Sequence, residues 1–175
     1  MITNNFEYEA EVIRWIDGDT CELKIVQVDY GFGQRRYFNA DGTRMRLWGI
    51  NCPERNPRHK KYTDENGVFD EKGHADEKKR AIEAMTYANR YAPPGSTVRI
   101  KTYKDPRGTI DKSDVFGRYL AEIYVKEQPT VSEFRSGDIM TYRFGGMPQW
   151  YSLNCCLYLS DHAALTVEEK ELIYV

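Results

Sequence analysis

The sequence predicts an α+β fold that is mainly β: five short strands forming a small barrel, one helix between the third and fourth strands, and helices at the C-terminal end. Three observations lead there. Residues 8–16, 20–28, 44–50, 98–103 and 119–125 are short β-branched and aromatic runs with a two-residue period, as half-buried strands require. Before the C-terminal part, only residues 74–91 repeat at spacings of three and four. Strand and helix also fail to alternate regularly, which argues against parallel βαβ units.

In the first strand Ala10, Val12 and Ile16 share a face; in the second, Leu23 and Ile25 are the apolar residues. Asp17-Gly18 between them is a hairpin signal. A glycine-rich polar excursion follows, with a second Asp-Gly turn at Asp41-Gly42. Its "GFG" and the later "FGG" are too short and poorly placed for a phosphate-binding loop. In the third strand Met45 and Leu47 point one way, and Arg46, Trp48 and Ile50 the other. "NCPE" ends that strand, because Pro53 cannot donate to a ladder and restricts Cys52 before it.

Residues 55–73 read as a polar loop. The helix at 74–91 presents Ala81, Ile82, Met85, Ala88 and Tyr91, and "APPG" stops it. After the fourth strand, "KDPRGTIDKSD" is a loop leading to the fifth. Residues 127–150 read as an irregular insertion. Residues 151–165 read as a helix packing Leu153, Cys156, Leu157 and Leu165, and "TVEE" from Thr166 has the capping-box form of a short final helix. This order suits a Greek-key barrel of the OB type. One domain is expected over 1–175: barrel and first helix at 8–125, insertion at 127–150, helical segment at 151–175.

A chain of 175 residues can bury a core, and its net charge of −2 gives no overall push toward nucleic acid. Basic residues cluster only locally, in "QRR" at 34–36 and "RNPRHKK" at 55–61. Cys21, Cys52, Cys155 and Cys156 have no spacing of a disulfide framework or zinc site, so buried reduced thiols are expected. No signal-peptide pattern and no membrane-spanning apolar run is visible. The expectation is a cytoplasmic monomer without membrane or protein partner.

Singly, the candidate functional residues have ordinary readings as turn, strand or loop charges. Together they form a pattern: an acid after strand one, Arg46 in strand three, Glu54 just past its end, and Arg118 ahead of strand five. A barrel can bring these places to one rim. Phosphodiester hydrolysis needs such a set: a carboxylate to take the proton of water, guanidinium forks for phosphoryl charge, and oxygen ligands for a hard cation.

"VIRWIDGDT", "RMRLWGINCPE" and "DVFGRYLAEIYV", in that order, resemble the staphylococcal nuclease (thermonuclease) family. The resemblance covers residues 8–125 and resumes in "SLNCCLYLSDHAAL". It implies a calcium-dependent nuclease acting on DNA and RNA and leaving 3′-phosphate ends. It implies Asp19 as a carboxylate ligand of calcium, Asn51 as a second ligand, and Cys52 as a backbone-carbonyl ligand. Glu54 would be the general base, with Arg46 and Arg118 holding the phosphate. Asp17 would be the turn's structural acid, with Thr20 supporting the site from behind.

The chain departs from that family at two positions. Asn51 stands where aspartate is usual, so weaker calcium binding or another divalent metal is expected. Phe116 stands where tyrosine is common, which implies altered terminal-phosphate recognition. Arg35 and Arg36, with Arg58, Lys60 and Lys61, are candidate substrate contacts in loops longer than the family's. The alternative reading is a non-catalytic module on the same barrel, binding nucleic acid or protein; a third is a scaffold for a protein partner, with 127–150 as its contact.

Overall fold

The computed structural model describes residues 6–28, 35–37, 41–102, 118–131, 141–142 and 150–167. Its strands are β1 (Phe6–Asp17), β2 (Thr20–Val28), β3 (Arg35–Tyr37), β4 (Thr43–Leu47), β5 (Ile50–Asn51), β6 (Thr97–Thr102), β7 (Tyr119–Val125), β8 (Thr141–Tyr142), β9 (Trp150–Ser152) and β10 (Ala164–Leu165). The helices are α1 (Glu71–Tyr91) and α2 (Leu153–Leu159), with a 3-10 turn at His59–Tyr62. β1 pairs with β2, β2 with β4, β4 with β7, β7 with β6, and β6 with β1 again. That ring is a closed five-stranded barrel, and only the β4–β7 contact is parallel.

The barrel interior follows from strand alternation. Ala10 and Val12 of β1, Cys21 and Leu23 of β2, Met45 and Leu47 of β4, Val98 and Ile100 of β6, and Ala121, Ile123 and Val125 of β7 are buried in one core. Ile16 does not join them as expected. The β1–β2 register shifts after Val12 and again after Trp15, and these bulges turn Trp15 inward. Its indole N–H donates to Ala92 O at 2.8 Å, tying β1 to the end of α1.

The third strand is shorter than expected. β4 stops at Leu47, and Gly49 at φ 78° turns the chain before β5 resumes at Ile50. Ile50 is therefore buried, instead of sharing the outward, half-buried face of Arg46. The helix starts three residues earlier than predicted, because the Asp70 side chain caps it by accepting Gly73 N–H at 3.0 Å. Its buried face is Glu77, Ala81, Ala84, Ala88 and Tyr91, while Ile82, expected inside, is 54% exposed. Small alanines let α1 lie close to the barrel.

The expected helix at 151–165 is also corrected. Residues 150–152 instead form β9 against β7, and Ser152 caps the short α2 by accepting Cys155 N–H at 3.2 Å. β10 then pairs with β5. Leu153 and Leu157 enter the barrel core, and Cys156 is also buried. Two strand segments, β8 and Trp150 of β9, interrupt the stretch read as irregular insertion. The final helix expected from Thr166 lies, beyond Val167, outside the described residues. All four cysteines are buried thiols, as expected. Among the described residues no helix is long and apolar enough to cross a membrane.

Candidate active site

Gly18 explains the turn that begins the site. A β-carbon there would lie 2.7 Å from Ala84 Cβ and 3.0 Å from Cys52 Sγ. The β1–β2 turn is thus pressed between α1 and the segment after β5, which leaves room for no side chain. Asp19, the next residue, is buried at 3% exposure and stands directly before β2.

Three donors reach its carboxylate. Oδ1 accepts Arg46 Nη1 at 3.0 Å and the Thr20 hydroxyl at 3.0 Å; Oδ2 accepts Cys52 N–H at 2.7 Å. The other guanidinium nitrogen of Arg46 donates to Asn51 Oδ1. Thr20 Oγ1 in turn accepts Arg118 Nη1 at 3.3 Å. One hydrogen-bonded chain therefore links Arg118, Thr20, Asp19, Arg46 and Asn51.

Strand register produces that chain. Thr20 pairs with Arg46 across β2 and β4, and Arg46 pairs with Leu120 across β4 and β7. Arg118 lies two residues before Leu120, so it returns to the same outward face. Asn51 is set by β5, which pairs it with Ala164, and by Thr166 N–H donating to Gly49 O at 2.9 Å. Asn154, fully buried, reinforces the junction: it accepts Ile123 N–H at 3.0 Å and donates to Trp48 O and Ala121 O at 3.0 and 3.1 Å.

Asp19, Arg46, Asn51 and Arg118 line a cleft of about 500 Å³ with Asp17, Arg44, Cys52, Pro53, Glu54, Arg55 and Asn56. Four arginines (44, 46, 55, 118) face three carboxylates (Asp17, Asp19, Glu54), so the lining is net positive by one charge. Glu54 is exposed at the cleft wall. Burial first, then the Asp19 charge, pushes the Asp17 carboxyl up. Burial likewise pushes the Cys52 thiol up, with the Asp19 charge adding to it, so it is no nucleophile at neutral pH.

Arg46, Glu54, Arg118, Asp19, Asn51 and Cys52, all anticipated from the sequence, meet in this one cleft. Lys61 does not; it pairs with Glu77 and lines a neighbouring cleft of about 460 Å³. Arg58 and Lys60 are exposed on the loop and the 3-10 turn. Phe116 and the side chains of Arg35 and Arg36 lie outside the described residues. Sequence reasoning missed Arg44, Arg55, Glu77 and Asn154. Arg44 was legible, since it alternates with Arg46 along the same strand.

Among the described residues, no three His, Cys, Asp or Glu side chains cluster as a metal site. Asp19 and Asn51 bring a carboxylate and an amide oxygen to the cleft, hard-oxygen donors suited to a divalent cation but with one charged member; the Cys52 carbonyl is a third donor that the resemblance implies. Arg46 bridges the first two, so a cation would compete with its guanidinium. No protein-family model matches the chain, and no curated protein matches it significantly.

Proposed function

We propose that the chain is a divalent-cation-dependent phosphodiesterase acting on DNA or RNA, built on an OB-type Greek-key barrel. The barrel reading is supported by the spatial order β1-β2-β4-β7-β6 with its parallel β4–β7 contact. The observation that carries the function is the convergence of Arg46, Arg118 and Glu54 on one cleft beside Asp19 and Asn51.

In this reading the two guanidinium groups bind the scissile phosphate and meet the charge that builds on its oxygens. Glu54 accepts a proton from the attacking water. The water oxygen bonds to phosphorus as the bond to the 5′ oxygen breaks, and the 5′ oxygen leaves as a hydroxyl by taking a proton from solvent while the other product keeps a 3′-phosphate. Asp19 holds Arg46 and, through Thr20, Arg118 in register, so both forks face the cleft together. Asp19, Asn51 and the Cys52 carbonyl would hold the cation, calcium foremost, which supplies charge neutralisation at the phosphate.

The test is digestion of single- and double-stranded DNA and of RNA with calcium, magnesium, manganese or chelator. Cleavage that needs a metal and leaves 3′-phosphate ends is the expected result. Binding without cleavage in every metal would instead make the barrel a nucleic-acid-binding module.

A further inference from the structure

Although the Glu54 side chain is exposed, the backbone beneath it is gripped on both sides. Glu54 N–H donates to Glu77 Oε1 at 3.1 Å. The Arg55 side chain donates to Ile16 O at 3.0 Å. The chain around Glu54 is thus anchored to α1 by the Glu54 amide and to the end of β1 by the Arg55 side chain.

Glu77 occupies a place on α1 that the helix pattern reserves for an apolar residue. It continues the face of Ala81, Ala84, Ala88 and Tyr91 and is 9% exposed. A carboxylate buried there costs desolvation unless its oxygens are fully used. They are: Lys61 Nζ lies 2.8 Å from each oxygen, the Tyr62 hydroxyl donates to Oε2, and Glu54 N–H to Oε1. Burial pushes this carboxyl up, but those hydrogen bonds prevail and hold it below its ordinary value. One charged residue thereby joins the helix, the 3-10 turn and the loop that carries Glu54. It also lines the second cleft, which shares Asn51, Cys52, Pro53 and Glu54 with the first.

We propose that Glu77 is a positioning residue that fixes the main chain at Glu54, so that the Glu54 carboxylate faces the phosphate held by Arg46 and Arg118. The inference rests on the phosphodiesterase reading. Glu77 itself touches neither phosphate nor water; it acts through one peptide N–H. A base displaced by about 1 Å loses on the order of 100-fold in rate. The Arg55–Ile16 anchor remains in a Glu77 variant, so a loss of about tenfold is expected.

The experiment compares wild type, Glu77→Ala, Glu77→Gln and Tyr62→Phe in steady-state cleavage of an oligonucleotide, with amide hydrogen exchange read at Glu54. Alanine removes the acceptor and should lower kcat about tenfold with KM within about twofold, and speed exchange at the Glu54 amide. Glutamine keeps a carbonyl oxygen and should restore kcat to within about threefold of wild type. Tyr62→Phe loosens the Glu77 carboxylate without touching Glu54 and should fall between, which serves where the alanine variant does not fold. Unchanged kcat in both Glu77→Ala and Tyr62→Phe overturns the inference and leaves the phosphodiesterase reading standing. So does equal damage in alanine and glutamine variants. A wild type inactive in every metal overturns the reading, and Glu77's role falls with it.

Discussion

Asp19 and Glu77 are nearly buried carboxylates on the two sides of the loop that carries Glu54, and each accepts one of its amides: Cys52 N–H for Asp19, Glu54 N–H for Glu77. Their remaining partners differ. Asp19 holds Arg46 directly and Arg118 through Thr20, cations that line the larger cleft. Glu77 holds Lys61 and Tyr62, which line the neighbouring cleft instead. In the proposed function a ligand's charge would compete for the partners of Asp19 and leave those of Glu77 in place. That would make the first cluster responsive and the second scaffold, although both are paired buried acids.

The comparison breaks most visibly at Arg46. Arg46→Ala should cut cleavage by about 1,000-fold, the range seen when a donor to developing charge is removed. The same change should tighten calcium binding, because the guanidinium no longer competes for Asp19 and Asn51. Titration calorimetry separates the two effects. Weaker calcium binding in this variant would mean that Arg46 orders the oxygen donors instead of competing for them.

A smaller effect is expected at Asn51. Asn51→Asp restores a charge beside Asp19, and the gain is divided between the cation and Arg46, which already bonds this position. Calcium affinity should rise about tenfold. Equal affinities in the two proteins would contradict the assignment of Asn51 as a cation donor. No corresponding response to calcium is expected from Glu77→Gln, and that contrast sharpens the distinction between the clusters.

The smallest effect lies in acid. The Glu77 carboxyl sits below its ordinary value near 4.5 in the folded chain. A depressed carboxyl stabilises the fold fully above its unfolded pKa, and that contribution is lost as pH falls through the folded value. Thermal melts of wild type should therefore lose stability below about pH 4.5 more steeply than melts of Glu77→Gln. Parallel acid limbs would show that the charge of Glu77 contributes nothing to folding.

What was legible in the sequence follows physical range. β2 and β7 declared themselves because alternation is local, and Arg46, Glu54 and Arg118 because one lies in a strand and two beside strand ends that a barrel gathers together. Strand three was read too long, since nothing nearby says that Gly49 adopts positive φ. Ala84 was passed over for Ile82 because hydrophobicity favours the larger residue, whereas the close approach of Gly18 admits only a small one. Tyr151 and Ser152 looked helical because the residues after them are; pairing with β7 decides otherwise. Glu77 and Asn154 were invisible as functional supports, because a polar residue in a helix reads as solvent-facing until the groups it satisfies are known.

The central claim is that the larger cleft hydrolyses phosphodiesters with Glu54 as base. Its most direct test is the single-turnover cleavage rate of wild type against Glu54→Gln, measured with saturating oligonucleotide in the most effective divalent metal. Glutamine keeps the shape and cannot take the proton, so the rate should fall by about 100-fold or more while binding of the uncleaved strand is retained. Equal rates in the two proteins would contradict the account.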